Sequence, residues 1–174
     1  ALSFWAGSTD LAKAQEYYLN IVFKVMGNAG AHSAYDVNYW KNWLPVSVIE
    51  DALKIARSAQ EQSKIHYLMA MTLKFQEGND DAYLRVRDEF EKCLAIGNTV
   101  EWYDDALFHY AHWIQENGKS YFNEEGQWNV RPDYEKALQL YEDFLRVFPE
   151  GTSLYRKRVQ ENIEAITAVQ LALQ

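Results

Sequence analysis

The sequence predicts an all-α protein of about seven helices. Apolar residues recur every three or four positions along most of the chain, which is the period of an amphipathic helix. Only three prolines and eight glycines interrupt the 174 residues. Because 48% of the residues are hydrophobic, the chain is long and apolar enough to bury a core, and we expect a single domain over residues 1–174.

The helical period and the residues that break it place each predicted helix. Gly27 and Gly30 should end the first helix, and residues 27–44, which lack a clear period, should form an aromatic-rich loop. Gly78 and Gly97 should end the third and fourth helices. The seven predicted helices cover about Thr9–Met26, Pro45–Ala59, Glu61–Gln76, Asp81–Ile96, Thr99–Asn117, Pro132–Phe148 and Ser153–Leu173.

Two capping patterns support these boundaries. Ser47 and Glu50 follow a proline at the spacing of a capping box, which predicts the start of the second helix. Asn98, with Glu101 three residues later, predicts the cap of the fifth helix. Both patterns place a side-chain oxygen next to backbone N–H groups that have no partner inside the helix.

The middle of the chain repeats one pattern. The segment SKIHYLMAMTLKFQEG aligns with DDALFHYAHWIQENG when Ala70 is laid on Ala111, and VRDEFEKCLAI aligns with KALQLYEDFLRV when Phe90 is laid on Tyr141. Small residues then meet where the helices approach most closely, and aromatic residues fill the neighbouring hairpin. The sequence thus divides into repeat-like units over about 61–97 and 99–151, followed by a capping helix over 153–173.

The second repeat-like unit carries an insert near residues 119–131, KSYFNEEGQWNVR. Two short apolar stretches, Tyr121–Phe122 and Trp128–Val130, flank the glycine-containing turn NEEG. This arrangement predicts a small β-hairpin. The alternative is an ordered loop without paired strands.

The segment DYEKALQLYEDFLRVFP contains Ala137, Tyr141 and Pro149 at spacings of four and eight residues. It resembles the second helix of a tetratricopeptide repeat. The resemblance implies helical hairpins stacked into a short right-handed solenoid, with a binding surface rather than a catalytic site. The repeats are degenerate, because the small residue late in the helix is kept as Cys93 in one unit but is Phe144 in the other.

A narrower resemblance covers Trp102 to Thr167. The run WYDDALFHYAHWIQENG, the insert ending EEGQWNVRPDY and the run EKALQLYEDFLRVFPEGTSLYRKRVQENIEAIT are similar to a helical segment of large bacterial-type alpha-2-macroglobulin-like proteins. Those proteins are protease traps, often with a reactive thioester. The only cysteine, Cys93, lies in no CGEQ-like context. The resemblance therefore implies a non-enzymatic helical module of a larger protein, periplasmic or secreted.

The alternative is a free-standing peptide-binding adaptor, for which we expect a cytoplasmic location. In the tetratricopeptide family, ligands lie along the first helix of each hairpin. The resemblance therefore implies a mixed aromatic and polar groove suited to a protein or peptide. For Tyr67, Met71 and Phe108, packing in the chain's own core is an equally good interpretation. The implied ligand-binding residues are Lys64, Tyr67, Met71, Lys74, Asp105, Phe108, His112 and Gln115.

Charge and motif content bound the other functions. The net charge of −8 argues against nucleic acid as a partner, and no apolar run is long enough to predict a membrane span. Asp105, His109 and His112 are spaced to share one helix face, so a zinc-dependent enzyme is a less favoured alternative. Asp104 and Asp105 are neighbours, whose carboxylates should diverge on a helix. We predict no catalytic residue, no metal and no cofactor.

Overall fold

The computed structural model describes residues 10–32, 45–74 and 80–173, and this part of the chain is mostly helical. It confirms the prediction of an all-α fold with a small β-hairpin insert. The hairpin strands are β1, Lys119–Phe122, and β2, Trp128–Arg131. The helices of the described residues are α1 Leu11–His32, α2 Val46–Ile55, α3 Ala59–Lys74, α4 Asp80–Ala95, α5 Tyr103–Asn117, α6 Tyr134–Val147 and α7 Arg156–Ala172.

The chain divides into two compact units, the first ending at Cys93 and the second beginning at Leu94. In the first unit, α1 packs on α2, where the Tyr18 hydroxyl donates to the Val48 carbonyl at 3.1 Å. α3 and α4 run antiparallel, because Ser63 near the start of α3 meets Cys93 at the end of α4, their side chains 3.3 Å apart.

The core of the first unit is centred on α3, which is buried on all sides from Tyr67 to Leu73. α3 contributes most to this core, since nine of its residues between Ser63 and Leu73 are buried. The residues with no exposed surface include Ile49, Ala52, Ile65, Tyr67, Leu68, Ala70, Met71, Phe90 and Cys93.

In the second unit, α5, α6 and α7 form an antiparallel three-helix layer. The start of α5 meets the end of α6, where the Tyr103 and Phe148 rings lie 6.1 Å apart. The guanidinium of Arg156, at the start of α7, donates to the Leu145 carbonyl at 3.0 Å and also to the Phe148 carbonyl, both at the end of α6. Arg156 therefore satisfies carbonyl groups that the end of a helix leaves without partners.

The β-hairpin joins α5 to α6, and its two strands pair antiparallel with Lys119 opposite Arg131 and Phe122 opposite Trp128. Its base lies close to α5, because the backbone N–H of Asp133 donates to the Ile114 carbonyl at 3.1 Å. A Cβ at Gly118 would lie 2.4 Å from the Asp133 Cβ, so only glycine fits this crossing.

The predicted end of the first helix is wrong, because α1 continues through Gly27 and Gly30 to His32. Glycine weakens a helix by about 1 kcal/mol but does not exclude it. The proposed loop over 27–44 is therefore helical up to His32, and residues 33–44 lie outside the described residues. The breaker at Gly78 also lies outside them.

The capping box predicted at Ser47 is also wrong. α2 begins after Pro45, and no side chain caps it. The box lies at the next helix, where the Ser58 hydroxyl accepts from the Glu61 N–H at 3.1 Å and the Glu61 carboxylate accepts from the Ser58 N–H at 2.9 Å. Residues 56–58 are not helical and separate the two helices, so α2 ends at Ile55 and Ser58 is free to cap α3.

The fifth helix begins four residues later than predicted, and Asn98 does not cap it. Gly97 adopts a left-handed φ of +110°, which turns the chain after α4. Val100 is buried, and its carbonyl accepts from the Tyr103 N–H at 3.2 Å. This buried turn occupies residues 97–102, and the helix starts only after it.

Candidate functional site

Two of the four groove residues predicted in the first unit lie inside its core. Tyr67 and Met71 have no exposed surface. Lys64 and Lys74 are half-buried, and the Lys64 ammonium lies 4.7 Å from the centroid of the Phe23 ring, a cation–π contact with α1. The two lysines are therefore the members of this set that keep surface for a ligand.

In the second unit, Phe108 is covered by a residue that follows α6. Its ring stacks on Tyr155, with centroids 4.4 Å apart and an angle of 16° between planes, and only 1% of Phe108 is exposed. The Tyr155 hydroxyl donates to the Asp105 carboxylate at 2.7 Å. Asp105 and Phe108 thus hold the connection between α6 and α7 against α5.

Gln115 belongs to a hydrogen-bond chain that joins all three helices of the second unit. The Tyr141 hydroxyl donates to the Gln115 side-chain oxygen at 2.8 Å and accepts from the Asn162 amide at 2.8 Å. Tyr141 has no exposed surface, so its hydroxyl is satisfied within the protein, as buried polar groups usually are.

The alternative zinc set does not assemble into a metal site. His109 is buried against aromatic rings, 5.1 Å from Phe108 and 5.6 Å from Tyr155. His112 lies 3.6 Å from the Glu116 carboxylate, while Asp105 accepts from Tyr155. In the part of the chain that the structure describes, no group of three or more His, Cys, Asp or Glu side chains is placed to hold a metal ion.

The carboxyls of Asp104 and Asp105 converge, contrary to the expectation that they diverge. The Ser153 hydroxyl donates to Asp104 at 2.8 Å and the Tyr155 hydroxyl donates to Asp105, so the loop before α7 draws both carboxyls to one side. Burial is the main cause that raises the pKa of Asp105 to about 6; the hydrogen bond from Tyr155 lowers that pKa, and the neighbouring Asp104 raises it. We call Asp104, Asp105, Ser153 and Tyr155 the carboxyl cluster.

A second polar group joins α3 to α4 in the first unit. Glu89 is 6% exposed, and its carboxylate lies 2.6 Å from the His66 Nδ1 and 2.8 Å from the Lys92 ammonium. Burial by itself would raise the pKa of Glu89, but the hydrogen bonds from His66 and Lys92 outweigh it and hold that pKa below its ordinary value. This ion group stabilises the helix pair when Glu89 is ionised.

Sequence reasoning identified neither polar group. The three-residue spacing of Glu89 and Lys92 was a local signal, but His66 lies 23 positions away. Tyr155 lies 50 positions from Asp105. Nothing in the local sequence pattern connects residues so far apart.

Two open clefts lie away from the eight predicted groove residues. One, of about 530 Å³, lies beside α1 and is lined by residues of both charges, among them Lys13, Glu16 and Arg57. Within it the Arg57 guanidinium donates to the Gln15 side chain at 2.7 Å. The other, of about 520 Å³, surrounds Leu154 at the start of α7. None of the eight residues lines either cleft.

The β-hairpin carries two exposed aromatic side chains of the described second unit. Tyr121 is 42% exposed and Phe122 is 69% exposed. The Arg131 guanidinium lies 5.6 Å from the centroid of the Tyr121 ring, and Lys119 lies 3.3 Å from the Asp133 carboxylate. Exposed aromatic rings beside charged groups are typical of interaction surfaces.

No protein-family model, no curated protein and no solved structure matches this chain. Among the described helices, none is both long enough and apolar enough to cross a membrane.

Proposed function

We propose that this chain is a non-enzymatic interaction or scaffold module, and that it forms a helical segment of a larger alpha-2-macroglobulin-like protein. The observation that carries the proposal is the matched burial of the two repeat-like units. Ala70 and Ala111, which the sequence aligns, both have no exposed surface, and neither do Phe90 and Tyr141. Each unit thus uses the small residue and the aromatic residue as a helical repeat requires.

The use of the polar side chains supports a structural role. Carboxylates, hydroxyls and amides that could serve chemistry hold neighbouring elements together: Glu89 joins α3 to α4, Asp105 holds Tyr155, and Gln115 binds Tyr141. These contacts stabilise a platform. The exposed rings of Tyr121 and Phe122 supply apolar area of the kind that interfaces bury.

The proposal of a larger protein depends on the resemblance of residues 102–167. This span begins at the start of α5 and includes the β-hairpin, α6 and most of α7. The span includes most of the second unit, so the segment that carries the resemblance and the compact unit begin and end at similar residues. This correspondence is what a module embedded in a longer chain requires.

The experiment is an immunoblot of the source cells with an antibody raised to the 174-residue chain. A band far above 20.3 kDa is the expected result, and its size would guide the search for neighbouring domains. A band near 20 kDa would contradict the larger protein and favour the free-standing peptide-binding adaptor. Detection after treatment with protease inhibitors and rapid denaturation controls for cleavage of a longer product.

A separate test addresses the absence of enzymatic activity. Activity-based probes for serine and cysteine hydrolases should not label the chain. Covalent labelling that stops when a single side chain is replaced would refute the non-enzymatic proposal.

A further inference from the structure

The outer edge of β1 is an unused strand edge. Among the described residues, the sheet has only two strands, and β1 pairs with β2 alone. β2 makes the main contact of the hairpin with α5, and Phe122 on β1 is 69% exposed. Strand edges present a row of N–H and C=O groups that can pair with another chain.

The hydrogen-bond pattern identifies which backbone groups lie on this edge. The Asn123 N–H donates to the Gln127 carbonyl at 2.9 Å. Opposite residues of an antiparallel pair alternate between exchanging hydrogen bonds and not exchanging them. Phe122 and Ser120, opposite Trp128 and Val130, are therefore the residues whose N–H and C=O groups are directed outwards.

This edge has only part of the protection that natural edge strands use to prevent pairing: β1 is only four residues long and begins with Lys119. Ser120, Tyr121 and Phe122 include no charge and no proline, and the register of the strand contains no bulge. The charge of β1 is confined to Lys119 at its first position. Proline, bulges and charges along the strand are usual protection against edge-to-edge association, and because Ser120–Phe122 has none of them, the outward backbone groups of this segment can accept a partner strand.

The edge is complementary to itself. In an antiparallel pairing of two copies of β1 about Tyr121, Ser120 of each copy lies opposite Phe122 of the other. The outward N–H and C=O groups of both copies then match, giving four hydrogen bonds. The same arrangement brings Lys119 of one copy near the acidic turn Glu124–Glu125 of the other, because the base of one hairpin meets the tip of its partner.

We propose that the outer edge of β1 pairs antiparallel with β1 of a second copy of this chain, forming a continuous four-stranded sheet between two molecules. The occupant is a second copy because both the backbone register and the charges at the two ends of the hairpin are self-complementary. The net charge of −8 on each copy opposes association at long range, but salt at 0.15 M screens charges beyond about 8 Å.

The pairing makes a specific geometric prediction at Tyr121. Its own N–H and C=O groups are directed to β2, so the two Tyr121 residues form a pair without mutual hydrogen bonds. The Cα atoms in such a pair lie about 4.5 Å apart, which is within the range that a disulfide spans. A cysteine at this position should therefore form a disulfide between two copies.

The first experiment is sedimentation equilibrium of the 174-residue chain from 5 to 500 μM at pH 7.5 and 0.15 M salt. We expect a reversible monomer–dimer equilibrium that Ser120→Pro weakens at least tenfold, because proline removes an outward N–H. Proline is tolerated on an edge strand where its nitrogen faces solvent, and circular dichroism would check the fold. The matched control, Ser120→Ala, keeps the N–H and should dimerise as the natural sequence does.

The second experiment is mild oxidation of the Tyr121→Cys variant with diamide. We expect a disulfide-linked dimer at least ten times faster than for Asn129→Cys, which lies on the same face of the hairpin but on β2. Cys93 has no exposed surface, so the background from the natural cysteine should be low.

A chain that stays monomeric to 500 μM would overturn the pairing, as would a dimer that Ser120→Pro does not weaken or equal oxidation rates of the two cysteine variants. The inference adds a self-association surface to the proposed interaction role. Its failure would leave the size of the native gene product unaffected, so the two proposals are tested separately.

Discussion

The Asp105→Asn substitution tests the carboxyl cluster. Burial and the nearby Asp104 raise the pKa of Asp105 from 3.8 to about 6. The folded protein therefore binds a proton more tightly than the unfolded chain, and stability that is present below pH 4 is lost as the pH rises to about 6. This rise in the pKa of Asp105 corresponds to a loss of about 3 kcal/mol in the free energy of unfolding once Asp105 is ionised.

Asparagine keeps the oxygen that accepts from Tyr155, and its amide can donate to Asp104, but it cannot ionise. We therefore expect Asp105→Asn to raise the free energy of unfolding at pH 7.5 by about 1 to 3 kcal/mol, the lower value allowing for a weaker hydrogen bond from Tyr155. At pH 3.5 the variant and the natural sequence should be about equally stable.

The assay is urea unfolding followed by circular dichroism at half-unit pH steps from 3.5 to 7.5. The difference between variant and natural sequence isolates Asp105, because other carboxyl groups titrate in both proteins. Asp104→Asn is the control: it removes the neighbouring carboxylate and should give a smaller gain, since Asp105 stays buried. A difference that does not vary with pH would refute the assignment of the raised pKa to Asp105.

The remaining substitutions test the core and the contacts of Glu89 with His66 and Lys92. Glu89→Gln should lower the free energy of unfolding at pH 7 by about 2 to 3 kcal/mol, because a hydrogen-bonded buried carboxylate is lost. Since the pKa of Glu89 is lowered, the natural sequence should lose this advantage in stability as the pH falls below about 4.5; a stability difference that is the same at low pH would contradict this. Gly118→Ala should lower the free energy of unfolding by at least about 2 kcal/mol, because its Cβ would overlap Asp133. Gly126→Ala, which has open space around it but a φ of +74°, should lower it by about 1 kcal/mol. Equal melting temperatures of the two variants would argue against the close approach of Gly118 to Asp133. Tyr67→Ala should cost about 3 kcal/mol, and a binding defect at unchanged melting temperature would instead restore Tyr67 to a ligand groove.

Much of the helical architecture could be predicted from the sequence because helix formation depends on local patterns. The apolar period identified all seven described helices, and the alternation around NEEG identified the hairpin. Helix ends were less predictable, since several sequences satisfy the same capping rule. Ser47 and Ser58 both precede a glutamate by three residues, but only Ser58 caps a helix.

The candidate site was less predictable than the fold. Helical spacing places Tyr67 and Met71 on one helix face, but it does not determine whether that face meets a ligand or another helix. Both are buried in the structure. Helical spacing places Phe108 on an equally plausible groove face, but Tyr155, from a loop distant in sequence, stacks on its ring.

The sequence alone determined the helices, the hairpin insert and the alignment of Ala70 with Ala111, because backbone preference, apolar period and turn chemistry act over a few residues. Only the tertiary structure decided which polar groups meet. The convergence of Asp104 and Asp105, the raised pKa of Asp105 and the bond between His66 and Glu89 depend on residues brought together by packing. Burial and the distance between charges determine the pKa shift of Asp105 and the strength of the contact between His66 and Glu89. Neither quantity can be read from the local spacing of residues.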